Sequence, residues 1–368
     1  MPLSLRIINS TRMKIPISIQ THARLRTWLM IGYALFIVYA SLSPFSGWRN
    51  QGLKFTDMLT MQLMISYTGF DTVANLLSYL PFGFLVTLRS QARLGTRASV
   101  TFGLCAGILL SASMEYLQMY LPTRISSNMD LLSNSLGALI GAVLAAIITS
   151  HTWLFTRITQ WRSAVFYHGK KVDFGLALLA LWMFTQTNPS LPMLGNVFIS
   201  EIAKQPFVKL PPAPFNWWES IAVMLNLLMI GTLMFTILRI PRNAAIALLV
   251  MLSTVALAKF ISAALFLKSW ALLLWISSEA MFGIVFGMLL LLIVLRLSRG
   301  AILIFGTITA CLYIVVVNFS LDSNAPSSAA SVYHWHYGHL LNYNGLAQSI
   351  LLGFPLLLIF HLWRMRNI

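Results

Sequence analysis

The stretch IVFGMLLLLIVL, residues 284–295, decides the fold class because it is apolar on every side. A strand of a membrane barrel alternates apolar and polar residues over about ten positions, whereas a helix in hydrocarbon is apolar all round. The stretch therefore predicts a transmembrane helix and argues against a barrel.

The rest of the chain has the same character as this stretch. Its 368 residues are 58% hydrophobic and only 9% charged, which is typical of a polytopic membrane protein. We predict an all-α, α-helical integral membrane protein with about ten transmembrane helices. The expected spans are about 28–43, 73–88, 98–114, 131–149, 174–187, 220–238, 244–267, 270–295, 301–318 and 346–363. The fifth is short for a bilayer of about 30 Å, and an extension toward Leu194 through the polar TQTNPS sequence would lengthen it.

The basic residues give the expected membrane topology. A net charge of +16 is compatible with nucleic acid binding, but the basic residues occur in short clusters at alternate span ends. With both termini in the cytoplasm, 18 of the 25 basic residues fall in cytoplasmic segments, six fall outside, and Lys259 lies within a span. This division follows the positive-inside rule. We therefore expect a multi-pass membrane protein with both termini in the cytoplasm and no nucleic acid partner.

The order of the spans predicts five segments. Residues 1–26 form a basic cytoplasmic arm, 27–150 a four-helix module, 151–172 a cytoplasmic linker, 173–299 a second four-helix module and 300–368 a C-terminal hairpin. The sequence NLLSYLPFGFLVTLR (75–89) aligns with NLLMIGTLMFTILR (226–239), and GALIG (137–141) aligns with GIVFG (283–287). These matches suggest a degenerate duplication, although leucine-rich spans also align by chance.

Polar side chains are concentrated at the predicted outer ends of three spans of the first module. Each span carries a pair at helical spacing: Asp71 and Asn75, Glu115 and Gln118, and Asp130 and Asn134. Residues three or four apart share a helix face, and a carboxylate in hydrocarbon costs about 3 kcal/mol. We therefore expect the pairs to converge on a polar site, with Arg124 as counter-charge. The alternative is that they only cap helices, as Asn128 or Asp130 would at the fourth span.

Small residues in the same spans predict close helix packing. Gly137 and Gly141 lie one turn apart and present a small face to a neighbouring helix. Pro81 and Gly83 are expected to kink the second span, and to free backbone groups that nearby polar side chains satisfy.

These residues together resemble the VanZ-like family over about residues 24–150. The motifs are N-x5-P-x-G (Asn75, Pro81, Gly83), E-x-x-Q (Glu115, Gln118) and R-x5-D-x3-N-x2-G-x3-G (Arg124, Asp130, Asn134, Gly137, Gly141). The resemblance implies a small bacterial membrane module whose founding member is linked to resistance to the glycopeptide teicoplanin. It implies no particular reaction.

The second copy, at about 172–297, departs from this pattern. If Gly283 matches Gly137, Ala280 replaces Asn134 and Ile276 replaces Asp130. The second half is therefore expected to be mainly scaffold. Its own polar residues, among them Lys259 and Glu279, would still allow a Lys–Glu pair in the membrane.

No cofactor is predicted from the sequence. His334, His336 and His339 lie in an outer loop and are the weak candidates for a metal site, but their spacing suits no single helix or strand face, and neighbouring aromatic residues fit an interfacial belt equally well. Neither Cys105 nor Cys311, both within spans, suggests a disulfide framework.

Three functions remain open at this stage. The first is a module that binds, shields or moves a lipid-linked cell-envelope component at the outer leaflet and so affects antibiotic or envelope-stress resistance. The second is a membrane-embedded enzyme acting on a lipid headgroup through Glu115 and Asp130. The third is a secondary transporter that uses Lys259 and Glu279. The sequence favours the first and leaves the oligomeric state open.

Overall fold

The computed structural model describes residues 17–43, 45–60, 69–199, 215–240, 244–294, 296–320 and 338–366. Within these ranges the chain is helical, apart from turns and an isolated bridge between Phe166 and Leu238. The helices are α1 (Ile17–Leu42), α2 (Phe55–Thr60), α3 (Gly69–Leu94), α4 (Thr96–Gln118), α5 (Asn128–Ser150), α6 (Thr152–Val165), α7 (Lys170–Gln186), α8 (Trp217–Ile237), α9 (Ala244–Phe266), α10 (Ser278–Val294), α11 (Arg299–Ser320) and α12 (Gly338–Met365).

The described helices confirm an all-α polytopic membrane protein. In the described residues, seven helices are long and apolar enough to cross a membrane. They are α1, α4, α5, α8, α9, α11 and α12. Each of the predicted spans overlaps a helix, but α10 is shorter and α3 and α7 are not among the seven. The count of ten spans therefore stays a prediction.

Helices α1, α3, α4 and α5 form the first bundle, and α3 packs along both α4 and α5. Its core includes Ile37 of α1, Tyr79 and Phe82 of α3, Met114 of α4 and Ala138 of α5. The Arg26 guanidinium on α1 donates to the Leu88 carbonyl near the end of α3. This contact places the start of α1 beside the end of α3, as expected for antiparallel neighbours.

Helix α8 is the centre of the second half. It is apolar around its whole circumference, and most of its residues are buried, as expected for a helix surrounded by others. Helices α10 and α11 pack along it, and α12 packs against α7 and α11. The predicted C-terminal hairpin therefore shares one hydrophobic core with the second module.

The start of α10 differs from the predicted span. The apolar run suggested a helix from about residue 270, but α10 begins at Ser278. The Ser277 hydroxyl accepts a hydrogen bond from the Ala280 amide, which is the arrangement of an N-terminal cap. Upstream, the Trp275 carbonyl is occupied by the amide of Met193 from another segment. The cap at Ser277 and the hydrogen bond from Met193 therefore set the start of α10, although the apolar residues continue upstream.

The end of α7 is also more complex than a simple span. The helix stops at Gln186, and the chain continues without helix through Ile199 while most of these residues remain buried. We call residues 187–199 the buried segment. The sequence predicted an extension toward Leu194, and the structure places this extension inside the protein as irregular backbone.

Candidate functional site

The site is positioned by a very close approach of α3 and α5. A Cβ atom on Gly137 would lie 2.1 Å from the Leu76 carbonyl oxygen, and one on Gly141 would lie 1.9 Å from the Leu80 carbonyl oxygen. On the opposite side of the contact, a Cβ on Gly83 would lie 2.0 Å from the Ala138 oxygen. Only glycine allows two backbones to pack this closely. This is the approach that the glycine spacing predicts.

Helix α3 remains helical through Pro81. The hydroxyl of Tyr33 on α1 donates to the Ser78 carbonyl at 2.8 Å, and the Ser78 hydroxyl donates to the Asn75 carbonyl. These bonds occupy carbonyl groups in the turns before the proline, where helical hydrogen bonding is weakened.

The close approach brings the polar residues of three helices together. The Asn75 side chain on α3 donates to the Asp130 carboxylate on α5 at 2.8 Å. One turn further along α5, the Asn134 amide donates to the Ser111 hydroxyl on α4 at 3.0 Å. We call Asn75, Tyr79, Ser111, Glu115, Asp130 and Asn134 the polar cluster.

Two members of the polar cluster retain unused hydrogen-bonding capacity. Tyr79 is 3% exposed and Asn134 is 5% exposed. Among the described residues, the Tyr79 hydroxyl lies near Ser111 but forms no hydrogen bond of normal geometry, and the Asn134 amide oxygen has no partner. A buried polar atom without a partner costs about 1–3 kcal/mol, so most such atoms in folded proteins are paired.

Glu115 connects the polar cluster to the loop before α5. Its carboxyl group is 3% exposed and accepts a hydrogen bond from the Ser127 amide at 2.9 Å. The Ser126 hydroxyl donates to the Glu115 carbonyl. The Ser127 hydroxyl in turn accepts from the Met129 amide and caps α5. The cap expected at Asn128 or Asp130 is therefore at Ser127, because that hydroxyl reaches an amide two residues ahead.

Gln118 and Arg124 contact the end of α1 and not the other residues of the predicted site. Gln118 donates to the Ser41 carbonyl at 3.0 Å, and Arg124 donates to the Ala40 and Ser43 carbonyls at 3.2 and 2.8 Å. These carbonyls lie at the C-terminal end of α1. The last carbonyl groups of a helix have no hydrogen-bond donor within the helix and attract positive charge. Burial lowers the pKa of Arg124 from its ordinary value, but a guanidinium stays charged at neutral pH.

Arg124 therefore does not pair with Glu115 or Asp130, and the side chain of Asp71, the third predicted carboxylate, is not among the described ones. The contacts of Arg124 are with backbone oxygens of α1, and Glu115 and Asp130 find their hydrogen bonds elsewhere. The sequence placed Arg124 in the loop between both carboxylates, but it gave no information on the direction of the side chain.

Sequence reasoning missed Tyr79 and Ser111. Tyr79 lies four residues after Asn75, and Ser111 lies four residues before Glu115. Both therefore extend polar helix faces that had already been identified. The four-residue spacing could have identified both residues as part of the site. Tyrosine and serine are, however, also common packing residues in apolar spans.

The remaining predicted site residues lie outside the described part. The side chains of Asp71 and His339 are not among the described ones, and neither are His334 and His336. Among the described residues, no group of three or more His, Cys, Asp or Glu side chains is arranged to hold a metal ion.

Residues 14–149 match the VanZ/LLP1 family model. The match includes every member of the polar cluster and ends before the linker. The N-terminal part of this membrane protein is therefore similar to the VanZ/LLP1 family, as the motifs indicate. No curated protein and no solved structure matches the chain.

The second half contains polar residues around the buried segment. Lys259 on α9 is fully buried, and its ammonium donates to the carbonyls of Asn188 and Leu191 at 2.7 and 3.0 Å. The Lys–Glu pair that the sequence allows is therefore not formed between Lys259 and Glu279. Glu279 accepts instead from the Asn216 amide and the Ser278 hydroxyl near the start of α10.

Other buried side chains hold the amides and carbonyls of the same segment. Glu219 on α8 accepts from the Asn196 and Val197 amides, and Asn226 donates to the Leu194 carbonyl. Irregular backbone in a membrane protein is stable only where such groups replace the missing helical bonds. The buried segment is therefore an ordered part of the interior.

Proposed function

We propose that the VanZ-like module binds the headgroup of a lipid-linked cell-envelope component at the outer leaflet. The polar cluster is the binding site in this proposal. Its members lie toward the ends of α4 and α3 that the basic residues assign to the outside. The wider proposal is a protein of the bacterial inner membrane that affects antibiotic or envelope-stress resistance.

The unused polar atoms of the cluster carry the proposal. Tyr79 and Asn134 are almost fully buried, yet each keeps an atom without a hydrogen-bond partner. A role limited to holding helices together would leave no reason for this cost. A ligand with hydroxyl, amide or amine groups would satisfy both atoms, because a hydroxyl donates and accepts while an amide oxygen accepts.

The position of the charges supports a headgroup ligand over a simple structural ion pair. Glu115 and Asp130 lie close enough to influence each other electrostatically, and neither is bonded to Arg124. A headgroup entering from the membrane surface would meet the two carboxyl groups first. Arg124 lies in the neighbouring loop and retains further N–H groups, which would suit a phosphate.

A substitution of Glu115 tests the proposal. Glu115→Gln keeps the shape of the side chain and an oxygen that can accept from the Ser127 amide, but it replaces the ionisable carboxyl group with a neutral amide. We expect loss of an envelope phenotype, to the level of the deletion strain, at unchanged membrane abundance. The phenotype is measured as sensitivity to lipid-targeting and cell-wall antibiotics.

Glu279→Gln is the matched control because Glu279, like Glu115, lies near a helix end and accepts a hydrogen bond from a backbone amide. It should leave the phenotype nearly unchanged. If Glu115→Gln lowers abundance instead, the carboxyl group is structural. If it changes neither abundance nor phenotype, the proposed site is wrong.

A secondary transporter is the second candidate, and the buried segment favours it. Transporter sites commonly contain interrupted helices whose unwound backbone carbonyls coordinate a cation. Here the side-chain nitrogen of Lys259 donates hydrogen bonds to two carbonyls of irregular backbone. Lys259→Met removes the charge and both hydrogen bonds while keeping an apolar stem of similar length. The transporter predicts a stronger phenotype for Lys259→Met than for Glu115→Gln at matched abundance, and the headgroup proposal predicts the reverse order.

A further inference from the structure

Three arginines from three helices lie near one another at the end of the bundle opposite the polar cluster. Arg26 on α1 donates to the Leu88 carbonyl on α3 at 2.8 Å, and Arg89 on α3 donates back to the Thr27 hydroxyl at 2.7 Å. These reciprocal bonds fix the two guanidinium groups beside each other. We call Arg26, Arg89 and Arg162 the arginine cluster.

Arg162 on α6 joins the cluster through α7. It forms an ion pair with Asp173, which is completely buried. The ring of Phe174, the next residue, packs edge-on against Trp28 on α1 with ring centroids 6.0 Å apart. The Arg26 guanidinium, two residues before Trp28 on α1, is close enough to those of Arg162 and Arg89 to be repelled by both. All three arginines remain partly exposed.

The charge at this end of the molecule is strongly unbalanced. The chain has nine acidic residues, and Asp173 is the only one in the segments that the basic residues assign to the cytoplasm. Three guanidinium groups therefore share one local carboxylate. Three positive charges held near one negative charge repel one another, so an additional anion at this position would be electrostatically favourable.

Helix α6 supplies an independent observation about the surroundings of the cluster. Trp153, Arg157 and Trp161 lie on one face at spacings of four, and all three are exposed. The Arg157 guanidinium lies over the Trp153 ring at 5.6 Å from its centroid. Exposed tryptophans with basic residues on a short helix are typical of a helix at the headgroup level of a membrane. The helix that supplies Arg162 therefore has the features of a membrane-surface helix.

We propose that the arginine cluster binds the phosphate of an anionic phospholipid in the cytoplasmic leaflet, between α1, α3 and α6. Guanidinium groups bind phosphate through paired N–H donors, and basic pockets between transmembrane helices on the cytoplasmic side are suited to lipid headgroups. The site joins the VanZ-like module to the second half, because α6 and α7 follow that module. The proposal is independent of the headgroup site at the opposite end.

The test is thermal unfolding of the full chain, purified in a neutral detergent and titrated with dioleoyl phosphatidylglycerol. We expect this lipid to raise the unfolding temperature with a saturable dependence, while dioleoyl phosphatidylcholine and sodium phosphate do not. In the double variant Arg26→Gln, Arg89→Gln, the half-saturating lipid concentration should rise roughly tenfold or more, since each basic residue near the surface contributes to anionic lipid binding.

The matched control is Arg296→Gln, Arg299→Gln, which removes two exposed charges from the same predicted side but away from the cluster. It should change the half-saturating concentration by less than about twofold, since neither charge lies in the site. If the first double variant does not fold, Arg89→Gln alone gives the same comparison, because a glutamine amide can still donate to Thr27. Equal stabilisation by both lipids, equal stabilisation by sodium phosphate, or an equal loss in the control would overturn the proposal.

Discussion

At the scale of single residues, the polar cluster combines paired and unpaired groups within a few turns of helix. Asn75 and Asp130 satisfy each other, whereas the Tyr79 hydroxyl does not find a partner of normal geometry. Residues that serve only the fold are expected to be paired when buried. Removing an unpaired group should therefore affect stability and function in opposite directions.

Tyr79→Phe applies this reasoning. The substitution removes a buried hydroxyl without a partner, so the free energy of unfolding should stay constant or rise by about 1 kcal/mol. The envelope phenotype should weaken, since the hydroxyl is assigned to the ligand. The measurements are thermal unfolding in detergent and antibiotic sensitivity at matched abundance.

Tyr33→Phe is the control for this substitution. Tyr33 donates to the Ser78 carbonyl at 2.8 Å, so its loss should lower the free energy of unfolding by about 1 kcal/mol. Equal destabilisation by both substitutions would show that the Tyr79 hydroxyl has a structural partner, and its assignment to the ligand would fail.

The residues also show where prediction from sequence ends. Helical spacing predicted the faces that carry Asn75, Glu115, Asp130 and Asn134, because positions four apart always share a face. Spacing could not predict the direction of Arg124, since a loop side chain can reach either neighbouring helix. The carbonyls at the end of α1 attract it because they have no helical partners.

At the scale of elements, the packing of α3 on α5 determines the geometry of the cluster. The hydrogen bond between Asn75 and Asp130 needs the two backbones to lie as close as the glycines allow. In the second half, Gly283 and Gly287 of α10 face α8 in a similar way. In the first bundle Gly137 contacts Leu76, whereas in the second half Gly287 contacts Leu227, the residue that aligns with Leu76. Because Gly287 aligns with Gly141 and not with Gly137, the contact is shifted by about one turn.

Gly141→Ala tests the importance of this packing. Its Cβ atom would lie 1.9 Å from the Leu80 carbonyl oxygen, and backbone cannot move aside as a flexible side chain can. We expect a loss of about 3 kcal/mol in the free energy of unfolding, at the upper end of the usual cost of overpacking. Thermal unfolding in detergent measures it.

Gly353→Ala is the corresponding control on α12, where a new Cβ would have no atom within 4 Å. It should be neutral or stabilise by up to about 1 kcal/mol, because alanine favours helix more than glycine does. A similar loss in both variants would mean that the effect of Gly141→Ala comes from glycine replacement in general.

Apolar runs predicted the positions of the long helices but not the buried segment at 187–199. A run of apolar residues identifies a chain that avoids water, and both a helix and irregular buried backbone meet that condition. The difference arises from distant side chains such as Lys259 and Glu219, which bond the carbonyls and amides of the segment. Their relation to the segment depends on the tertiary fold, which the local pattern does not contain.

At the scale of the whole molecule, charge and packing divide the protein into two ends with different properties. The end with the polar cluster carries carboxyl groups and capped helix termini, while the opposite end carries the arginine cluster around Asp173. The two halves meet through α1, which packs against α3 on one side and against α7 and α12 on the other. The two proposed binding sites therefore lie at opposite ends of the molecule.

The last prediction concerns the orientation that this division implies. The positive-inside rule, with 18 basic residues on one side and six on the other, predicts that both termini lie in the cytoplasm. Reporter fusions at Ile368 and within residues 320–345 should then give opposite signals, because one helix separates them. A cytoplasmic signal at Ile368 and an external signal in the loop would support an even number of spans and the assignment of the arginine cluster to the inner leaflet. Equal signals at the two positions would overturn this topology, and both leaflet assignments would have to be reversed or abandoned.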